Sequence, residues 1–204
     1  MFVVGHLALG YLLGRASGRL LDVDVNVPLM FLISILPDVD ELIPGLEHRG
    51  PTHSLIVYVL VLLPFLILYG KPIVAYLVSA CSHPLLGDLL VDLPIYVGVK
   101  LLWPLTSRWY AVGIRMESLV DVYLEWIVFL LSLVLMLKVR DLQRLFQPHP
   151  TNLLLTIPVF AIILSVFLSI PLTVPLGLFV PHAIYLMLYC VSILTGLKFL
   201  SKNV

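Results

Sequence analysis

The chain has 204 residues, of which 61% are hydrophobic and only 12% are charged, and its mean hydropathy is +1.10. A soluble domain carries charge on about a quarter of its residues, so this composition excludes an ordinary soluble protein and predicts an integral membrane protein. Twelve basic residues balance twelve acidic ones, which leaves no excess positive charge for binding nucleic acid. The length and the lack of a linker-like stretch favour one domain over residues 1–204.

Apolar stretches follow one another along the chain, and all of them predict helices. Residues 2–13 and 27–36 are shorter than the ~20 residues that cross a bilayer, so they predict short or re-entrant helices. Residues 54–69 and 72–90 are short or interrupted but still predict spans. Three later stretches are long enough to cross, namely residues 119–137, 153–170 and 176–197. We therefore expect an all-α, polytopic membrane protein with about five to seven membrane helices.

Basic residues in the connecting segments predict the orientation in the membrane. If every stretch crosses once, eight Lys and Arg residues lie on one side and four on the other. Because cytoplasmic loops carry the excess of Lys and Arg, the first side is expected to be cytoplasmic. The polar residues described next fall on the opposite side, which predicts an extracytoplasmic site in the cell membrane.

Histidine and acidic residues collect near the ends of the early stretches. Ionisable groups within apolar segments are costly and mark functional or paired sites. In the crossing scheme these residues lie near one face of the membrane: His6, Asp38, Asp40, His48, Arg49, His53, His83, Asp88, Asp92 and Asp121. The last two long stretches contain no acidic residue. We therefore expect residues 1–125 to build a site and residues 126–204 to supply mainly scaffold helices.

Imidazole and carboxylate groups together form a ligand set for zinc, and also for manganese or iron. The expected metal ligands are His6, Asp38, Asp40, His53, His83 and Asp88, for one or two divalent ions, with Zn²⁺ preferred over Mn²⁺ or Fe²⁺. Asp38 and Asp40 could serve one ion or bridge two, as carboxylates do in two-metal phosphoesterases. His83 and Asp88 are five residues apart, which exceeds the same-face spacing of a regular helix. Their convergence needs a distorted turn around Pro84 and Gly87.

Each polar residue taken alone has a simpler interpretation. His6 could be a hydrogen-bonded core histidine, and Asp38 and Asp40 could cap a helix. Arg49 could pair with Glu47 at the membrane interface. These separate interpretations do not explain why so many costly groups collect at one level.

At these residues the chain resembles the membrane-bound, metal-dependent hydrolases, a family of LexA-binding, inner-membrane-associated hydrolases. The matching motifs are Gly5-His6, LPDVD at residues 36–40, HRGPTHS at 48–54, Ser82-His83 with a following Asp, and residues 98–104. The resemblance covers residues 5–121. This family is distantly similar to zinc-dependent phospholipase C and to P1-type nucleases, which implies phosphoester hydrolysis by fold-level analogy.

The chain departs from that family in two places. The family has an Asp four residues after the His of the fourth segment, whereas Asp88 follows His83 by five. Asp92 fits better when measured back from residues 101–104, so both carboxylates remain candidates. Where the family has a Gly-Ser-x-x-Glu turn, this chain has Asp121 as the matching acid.

The residues and the resemblance together predict a membrane-embedded hydrolase that uses metal-activated water on a phosphoester of a lipid or lipid-linked substrate. Arg49 is expected to hold a phosphate oxygen, and His48 to act as general acid or further ligand. Asp92 and Asp121 are secondary catalytic candidates. Membrane lipids are the expected partners, and the oligomeric state is not predicted.

Two other classes of protein are compatible with these residues. A divalent-metal or proton-coupled transporter also places His and Asp residues within the membrane, but near its middle and between inverted repeats, which this sequence lacks. A purely structural metal site would have its coordination closed by four protein ligands, with no cleft.

Overall fold

A computed structural model describes residues 1–93, 98–169 and 173–203 of the chain, with side chains described to residue 201. These residues form eight α-helices: α1 Val3–Leu20, α2 Val27–Ile35, α3 Leu55–Tyr69, α4 Pro72–Ser82, α5 Leu119–Lys138, α6 Asp141–Leu145, α7 Thr156–Leu168 and α8 Phe179–Asn203. Two strands of two residues each, β1 Val91–Asp92 and β2 Ile114–Arg115, pair in parallel. The predicted all-α fold is confirmed.

Among the described residues, three helical segments are long and apolar enough to cross a membrane: Leu119–Lys138, Pro150–Leu168 and Leu176–Ser201. They coincide with the three long predicted stretches, although Ile170 of the second lies outside the described residues. No more than a third of each segment is buried within the protein, so most of their apolar surface faces outwards. Helix α3 is a shorter apolar helix. The shorter elements α1, α2 and α4 pack together beside these spans.

A stripe of glycines on α1 lets α2 and α4 approach closely. A Cβ atom at Gly10 would lie 2.1 Å from Cβ of Ser34 on α2. One at Gly14 would lie 2.8 Å from Sδ of Met30 and 3.0 Å from Cβ of Ser79 on α4. Small residues four apart bring helix backbones together, as in membrane helix pairs. The three helices are therefore held in fixed register, which aligns the polar residues at their ends.

Helices α1 and α5 run in the same direction, because the start of α1 contacts α5 itself and the middle of α1 contacts Asp141, which begins α6 just beyond the end of α5. The backbone N–H of Phe2 donates to Glu125 Oε1 (2.6 Å) at one end, and the Tyr11 hydroxyl donates to Asp141 Oδ2 (2.9 Å) towards the other. Asp141 is fully buried and also pairs with Arg15 Nε at 2.8 Å. This second end carries a cleft, which we call the basic cleft, lined by four basic side chains, those of Arg15, Arg19, Lys138 and Arg144, and by two acidic ones, those of Asp22 and Asp24.

The loop before α3 is held by a segment far away in sequence. The N–H of Lys100 donates to the carbonyl of Arg49 (2.9 Å), and the N–H of Leu55 donates to the carbonyl of Leu101 (3.0 Å). The Ser54 hydroxyl caps α3 and donates to the carbonyl of Trp103. Residues 98–103 therefore hold the HRGPTHS loop in place through hydrogen bonds. This contact gives a structural reason for the motifs at residues 48–54 and 98–104 to occur together.

Candidate metal centre

Four short segments bring the expected ligands together at the ends of α1, α2 and α4. His6 lies in the second turn of α1, and Asp38 and Asp40 lie in the 3-10 turn Leu36–Leu42 that follows α2. His53 ends the turn Pro51–His53 before α3, and His83 begins the turn His83–Asp88 after α4. Three overlapping groups of possible metal ligands result: His6, Asp38 and His83; Asp38, His48 and His53; and His53, His83 and Asp88.

Four donor atoms from four residues form what we call the donor cage: Asp38 Oδ1, His53 Nε2, His83 Nε2 and Asp88 Oδ2. His53 Nε2 lies 3.4 Å from Asp38 Oδ1 and 3.2 Å from Asp88 Oδ2. His83 Nε2 lies 3.1 Å and 3.3 Å from the same two oxygens. All four residues are buried except Asp38, whose side chain is 23% exposed.

The second nitrogen of each cage histidine decides which way its lone pair points. His83 Nδ1 lies 2.7 Å from the carbonyl oxygen of Ser34, which can only accept, so Nδ1 carries the hydrogen. His53 Nδ1 faces Asp40 Oδ2 at 3.2 Å. A carboxylate or carbonyl behind the ring is the usual support of a metal-binding imidazole. Both Nε2 lone pairs are therefore directed into the donor cage.

The geometry of the donor cage fits a zinc-like ion. With zinc–ligand bonds of 2.0–2.1 Å, the vertices of a tetrahedron lie about 3.3 Å apart, close to the four separations given above. Lone pairs on two nitrogens and two carboxylate oxygens face one another, and such an arrangement needs a cation or protons between them. His53 Nε2 and Asp88 Oδ2 are buried atoms that have no hydrogen-bond partner among the described residues. The His and Asp groups could thus hold a metal ion.

A π-helical turn explains how His83 and Asp88 converge. In the turn His83–Asp88 the N–H of Leu89 donates to the carbonyl of Pro84 at 3.0 Å, a five-residue step. A regular helix brings together residues three or four apart, whereas this wider turn aligns residues five apart. The distorted turn expected from the sequence is therefore present. Of the two candidate carboxylates, it is Asp88 that reaches the donor cage.

His6 packs against the donor cage from the first helix. Its ring stacks on that of His83, with centroids 3.4 Å apart and planes at 5°. Its Nε2 lies 3.6 Å from Asp88 Oδ1, and its buried Nδ1 has no hydrogen-bond partner among the described residues. Gly87 makes room for this ring, since a Cβ atom there would lie 2.4 Å from Cε1 of His6.

Asp40 was expected to be a metal ligand, but the structure places it behind His53. Its Oδ1 accepts from His48 Nδ1 at 2.9 Å, and its Oδ2 accepts from the Thr52 hydroxyl and from His53. In a 3-10 turn, residues two apart point about 120° away from each other, so Asp38 and Asp40 face different sides. Asp38 faces the donor cage, and Asp40 orients His53.

Arg49 was expected to hold a phosphate oxygen, but its terminal nitrogens are used within the protein. Nη2 pairs with Asp88 Oδ1 at 2.7 Å, and Nη1 donates to the carbonyl of Val91 at 2.9 Å. The side chain is buried, and the backbone adopts a φ of +58°, which is uncommon outside glycine. This geometry fixes the carboxylate of Asp88 so that its other oxygen faces the donor cage.

Asp92 and Asp121 lie outside the His and Asp groups formed by the described residues. Asp92 Oδ1 accepts from the N–H of Gly98 at 2.9 Å. Asp121 Oδ2 accepts from the N–H of Glu117 at 3.0 Å, and its own N–H donates to the Ser118 hydroxyl. The two hydrogen bonds of Asp121 cap the start of α5, a common structural use of Ser and Asp.

The carboxylates make the surroundings of the donor cage negative. Burial alone would raise the pKa of Asp40, but hydrogen bonds from His48 and His53 outweigh it and lower that pKa to about 2. Burial alone would lower the pKa of His53, but the neighbouring carboxylates of Asp38, Asp40 and Asp88 outweigh it and raise that pKa well above the ordinary value. The carboxylates of Asp38, Asp40 and Asp88 thus favour a positive charge at the donor cage, which either a proton on His53 or a bound metal ion can supply.

A cavity of about 330 Å³ opens beside the donor cage. Its polar lining comes from His6, Asp38, Glu41, His48, Arg49 and Asp88, and the rest is almost entirely apolar. Glu41 was not singled out from the sequence, although it directly follows the LPDVD motif. Burial, and then the charges of Asp38 and Asp40, raise its pKa to about 8. The cavity gives a substrate-sized molecule access to the candidate metal ligands.

Three further groups contribute to the site in ways that the sequence analysis did not predict. The Ser34 carbonyl is a backbone group, which no residue pattern reveals. Gly87 matters for the space it leaves, and its position between His83 and Asp88 was the available signal. Thr52 was recognisable as part of HRGPTHS, but only its contact with Asp40 gives it a role.

Comparison with known proteins adds one finding. No curated protein and no solved structure matches the chain. The family model described as YdjM inner membrane protein matches residues 1–176, a range that contains every residue of the donor cage and helices α1 to α7. The chain therefore belongs to the YdjM inner membrane protein family.

Proposed function

We propose that this protein is a membrane-embedded, metal-dependent hydrolase that cleaves a phosphoester of a lipid or lipid-linked substrate. The observation that carries the proposal is the donor cage, in which each of two imidazole nitrogens lies 3.1–3.4 Å from both of two carboxylate oxygens, next to a cavity. Nitrogen and oxygen ligands without thiolate are typical of hydrolytic zinc sites. When bound, a zinc-like ion supplies Lewis acidity and lowers the pKa of water towards about 7.

The residues around the ion would divide the remaining work. Asp38, His53, His83 and Asp88 are the residues that would hold the metal, and three of them would suffice for a hydrolytic ion that keeps one position open to water. Asp40 and the Ser34 carbonyl would keep the two histidines in the required tautomer. These positioning contacts would keep the metal ligands rigid while substrate enters and leaves.

Arg49 and His48 lie beside the metal ligands and would have different roles. Arg49 would hold Asp88 in place through its 2.7 Å ion pair, rather than bind the substrate phosphate. His48 lines the cavity and contacts Asp40 through Nδ1. Its other ring nitrogen, Nε2, lies 3.5 Å from Glu41 Oε1. This nitrogen would donate a proton to the leaving group. Proton transfer by a positioned His is a common contribution to hydrolysis.

The cavity supports an enzyme over a closed structural site. A purely structural ion needs no access, whereas Asp38, Asp88 and His6 all line the 330 Å³ cavity. The position of the donor cage supports an enzyme over a transporter. The cage lies at the ends of α1, α2 and α4, whereas a transport site is expected midway along broken helices.

The test is metal analysis of the purified protein together with hydrolysis of a chromogenic phosphodiester. We expect about one or two zinc-like ions per chain and metal-dependent hydrolysis. Asp38→Asn and His53→Ala should each lower hydrolysis by about a hundredfold or more. Asp22→Asn and His149→Ala, at exposed positions away from the cage, are the matched controls. Hydrolysis that survives both cage substitutions would contradict the mechanism, and ion flux without hydrolysis would favour a transporter.

A further inference from the structure

One wall of the cavity is a face of the membrane span that contains α7. The lining residues Ile157, Phe160, Ala161, Leu164 and Ser165 follow the spacing of a single helical face. At 1.5 Å per residue this face runs for about 12 Å along the helix. It belongs to the segment Pro150–Leu168, which is long and apolar enough to cross the membrane. The cavity is therefore lined both by residues of the donor cage and by one face of a membrane span.

The rim of the cavity is apolar and exposed. Leu36 and Leu42, from the turn that carries Asp38, are 50% and 54% exposed. Ile157 and Phe160 on α7 are 50% and 51% exposed. Ile157 and Phe160 lie on a membrane span, where exposed side chains face the hydrocarbon chains of lipids rather than water. Molecules that reach this opening from the side are lipids.

The polar and apolar parts of the cavity lie on different walls. His6, Asp38 and Asp88 bring charge and metal-binding capacity on one side, and the α7 face brings hydrocarbon surface on another. The volume of about 330 Å³ equals that of roughly eleven water molecules at ~30 Å³ each. Since a methylene group is similar in size to a water molecule, the cavity has room for a single hydrocarbon chain. This division matches a molecule with a polar head and a long apolar chain.

We infer that the α7 face is the binding site for one hydrocarbon chain of the substrate, which enters the cavity sideways from the bilayer through the opening between Leu36, Leu42, Ile157 and Phe160. The identity of the head group as a phosphoester rests on the proposed function. The chain site itself rests on the cavity and its walls. Ala161 and Leu164 are half-buried and would set the space available to the chain.

A cross-linking experiment tests the chain site without relying on activity. The probe is an alkyl phosphate with a photoreactive diazirine on its chain, added to the protein in phosphatidylcholine nanodiscs. Mass spectrometry measures the amount of probe attached to residues 157–165 and to helix α3, which also has exposed apolar side chains. The readout, called the labelling ratio, is the first amount divided by the second. We expect excess dodecyl phosphate, but not inorganic phosphate, to remove the labelling of residues 157–165.

Two variants narrow the cavity, and one serves as control. Ala161→Trp and Leu164→Trp fill the space beside the α7 face and should lower the labelling ratio about tenfold. Ile163→Trp adds the same ring on the same helix at a position that is 37% exposed and does not line the cavity. It should leave the ratio unchanged. Using two narrowing variants guards against one that fails to fold. Equal labelling of α3 and α7 that neither variant alters would overturn the chain site.

A pair of substrates separates this inference from the proposed function. Methyl and dodecyl p-nitrophenyl phosphate share the same scissile bond and differ only in the chain. We expect the wild-type protein to prefer the dodecyl ester, and Ala161→Trp to lower its kcat/KM about tenfold while leaving the methyl ester almost unchanged. Hydrolysis of both esters with no chain preference would reject the chain site but keep the hydrolase. If neither ester is cleaved by metal-loaded protein, the hydrolase proposal fails and the cross-linking result alone decides the chain site.

Discussion

The imidazole rings of His6 and His83 lie face to face, 3.4 Å apart between centroids, although 76 residues separate them in sequence. His83 is thus fixed from two directions, by the ring of His6 on one face and by the Ser34 carbonyl at Nδ1. Both contacts come from helices packed along the glycine stripe of α1. The orientation of one candidate metal-binding nitrogen therefore depends on packing well outside the donor cage.

Gly87→Ala should disturb the site through His6. The new Cβ atom would lie 2.4 Å from Cε1 and 2.6 Å from Nδ1 of His6, so the ring must move off His83. We expect zinc affinity, measured by competition with a chromogenic chelator, to fall about tenfold or more. Gly177→Ala is the matched control, because among the described residues its Cβ would meet only Val122, at 3.4 Å. Equal affinities for wild-type protein and Gly87→Ala would argue against this role of the stacked rings.

Asp38→Asn and Asp40→Asn should differ in severity, although the two residues are nearly adjacent. Asp38 contributes a donor oxygen, so its replacement should abolish stoichiometric zinc binding. Asp40 lies behind His53 and also contacts His48, and loss of such a supporting contact to a metal ligand costs about 10–100-fold in affinity. Equilibrium dialysis against zinc measures both. If Asp40→Asn removes the metal as completely as Asp38→Asn does, then Asp40 is a direct ligand.

Arg49 and Asp88 should be strongly coupled in the stability of chelator-treated protein. Arg49→Gln leaves a buried carboxylate without its 2.7 Å partner and should lower the free energy of unfolding by about 3–5 kcal/mol. The double variant Arg49→Gln with Asp88→Asn should recover part of that loss, because no charge is left unpaired. Denaturant titration in detergent measures the cycle, with Arg19→Gln at an exposed position as control. A loss below ~1 kcal/mol for Arg49→Gln, the size of a surface ion pair, would contradict the assignment.

Gly10→Val should separate α1 from α2. Even a single Cβ atom at this position would lie 2.1 Å from Cβ of Ser34, and the helix backbones cannot both remain in place. We expect loss of a monodisperse peak in size-exclusion chromatography and loss of zinc binding in any folded fraction. Gly177→Val tests whether a β-branched residue is harmful in itself. Normal zinc binding by Gly10→Val would mean that the glycine stripe does not set the register of these helices.

The donor cage should face away from the cytoplasm, because the basic cleft lies at the opposite end of α1 and α5. Single cysteines in a background lacking Cys81 and Cys190 test this orientation. Glu47→Cys, near the cage, should react with a membrane-impermeant maleimide in intact spheroplasts. Asp22→Cys, near the basic cleft, should react only after the membrane is opened. The reverse pattern would place the site in the cytoplasm.

The five-residue step from His83 to Asp88 marks the limit of sequence reasoning at this site. Regular helical spacing argues against convergence of these residues, and only the π-helical turn brings them 3.3 Å apart. Asp38 and Asp40 are equivalent in a residue pattern, yet a 3-10 turn directs one to the donor cage and the other behind His53. Arg49 looked suited to a phosphate, and its pairing with Asp88 became visible only from the packed loop.

Composition and the periodicity of apolar residues determined the membrane class, the helical architecture, the three long spans and the gathering of His and Asp at one level. These follow from solvation: a bilayer selects apolar helices, and ionisable groups are too costly to be placed there without purpose. Tertiary structure alone decided which oxygen meets which nitrogen, where Arg49 points, and that the cavity runs along α7. Such details depend on backbone turns and on contacts between distant segments, whose distances no one-dimensional pattern contains.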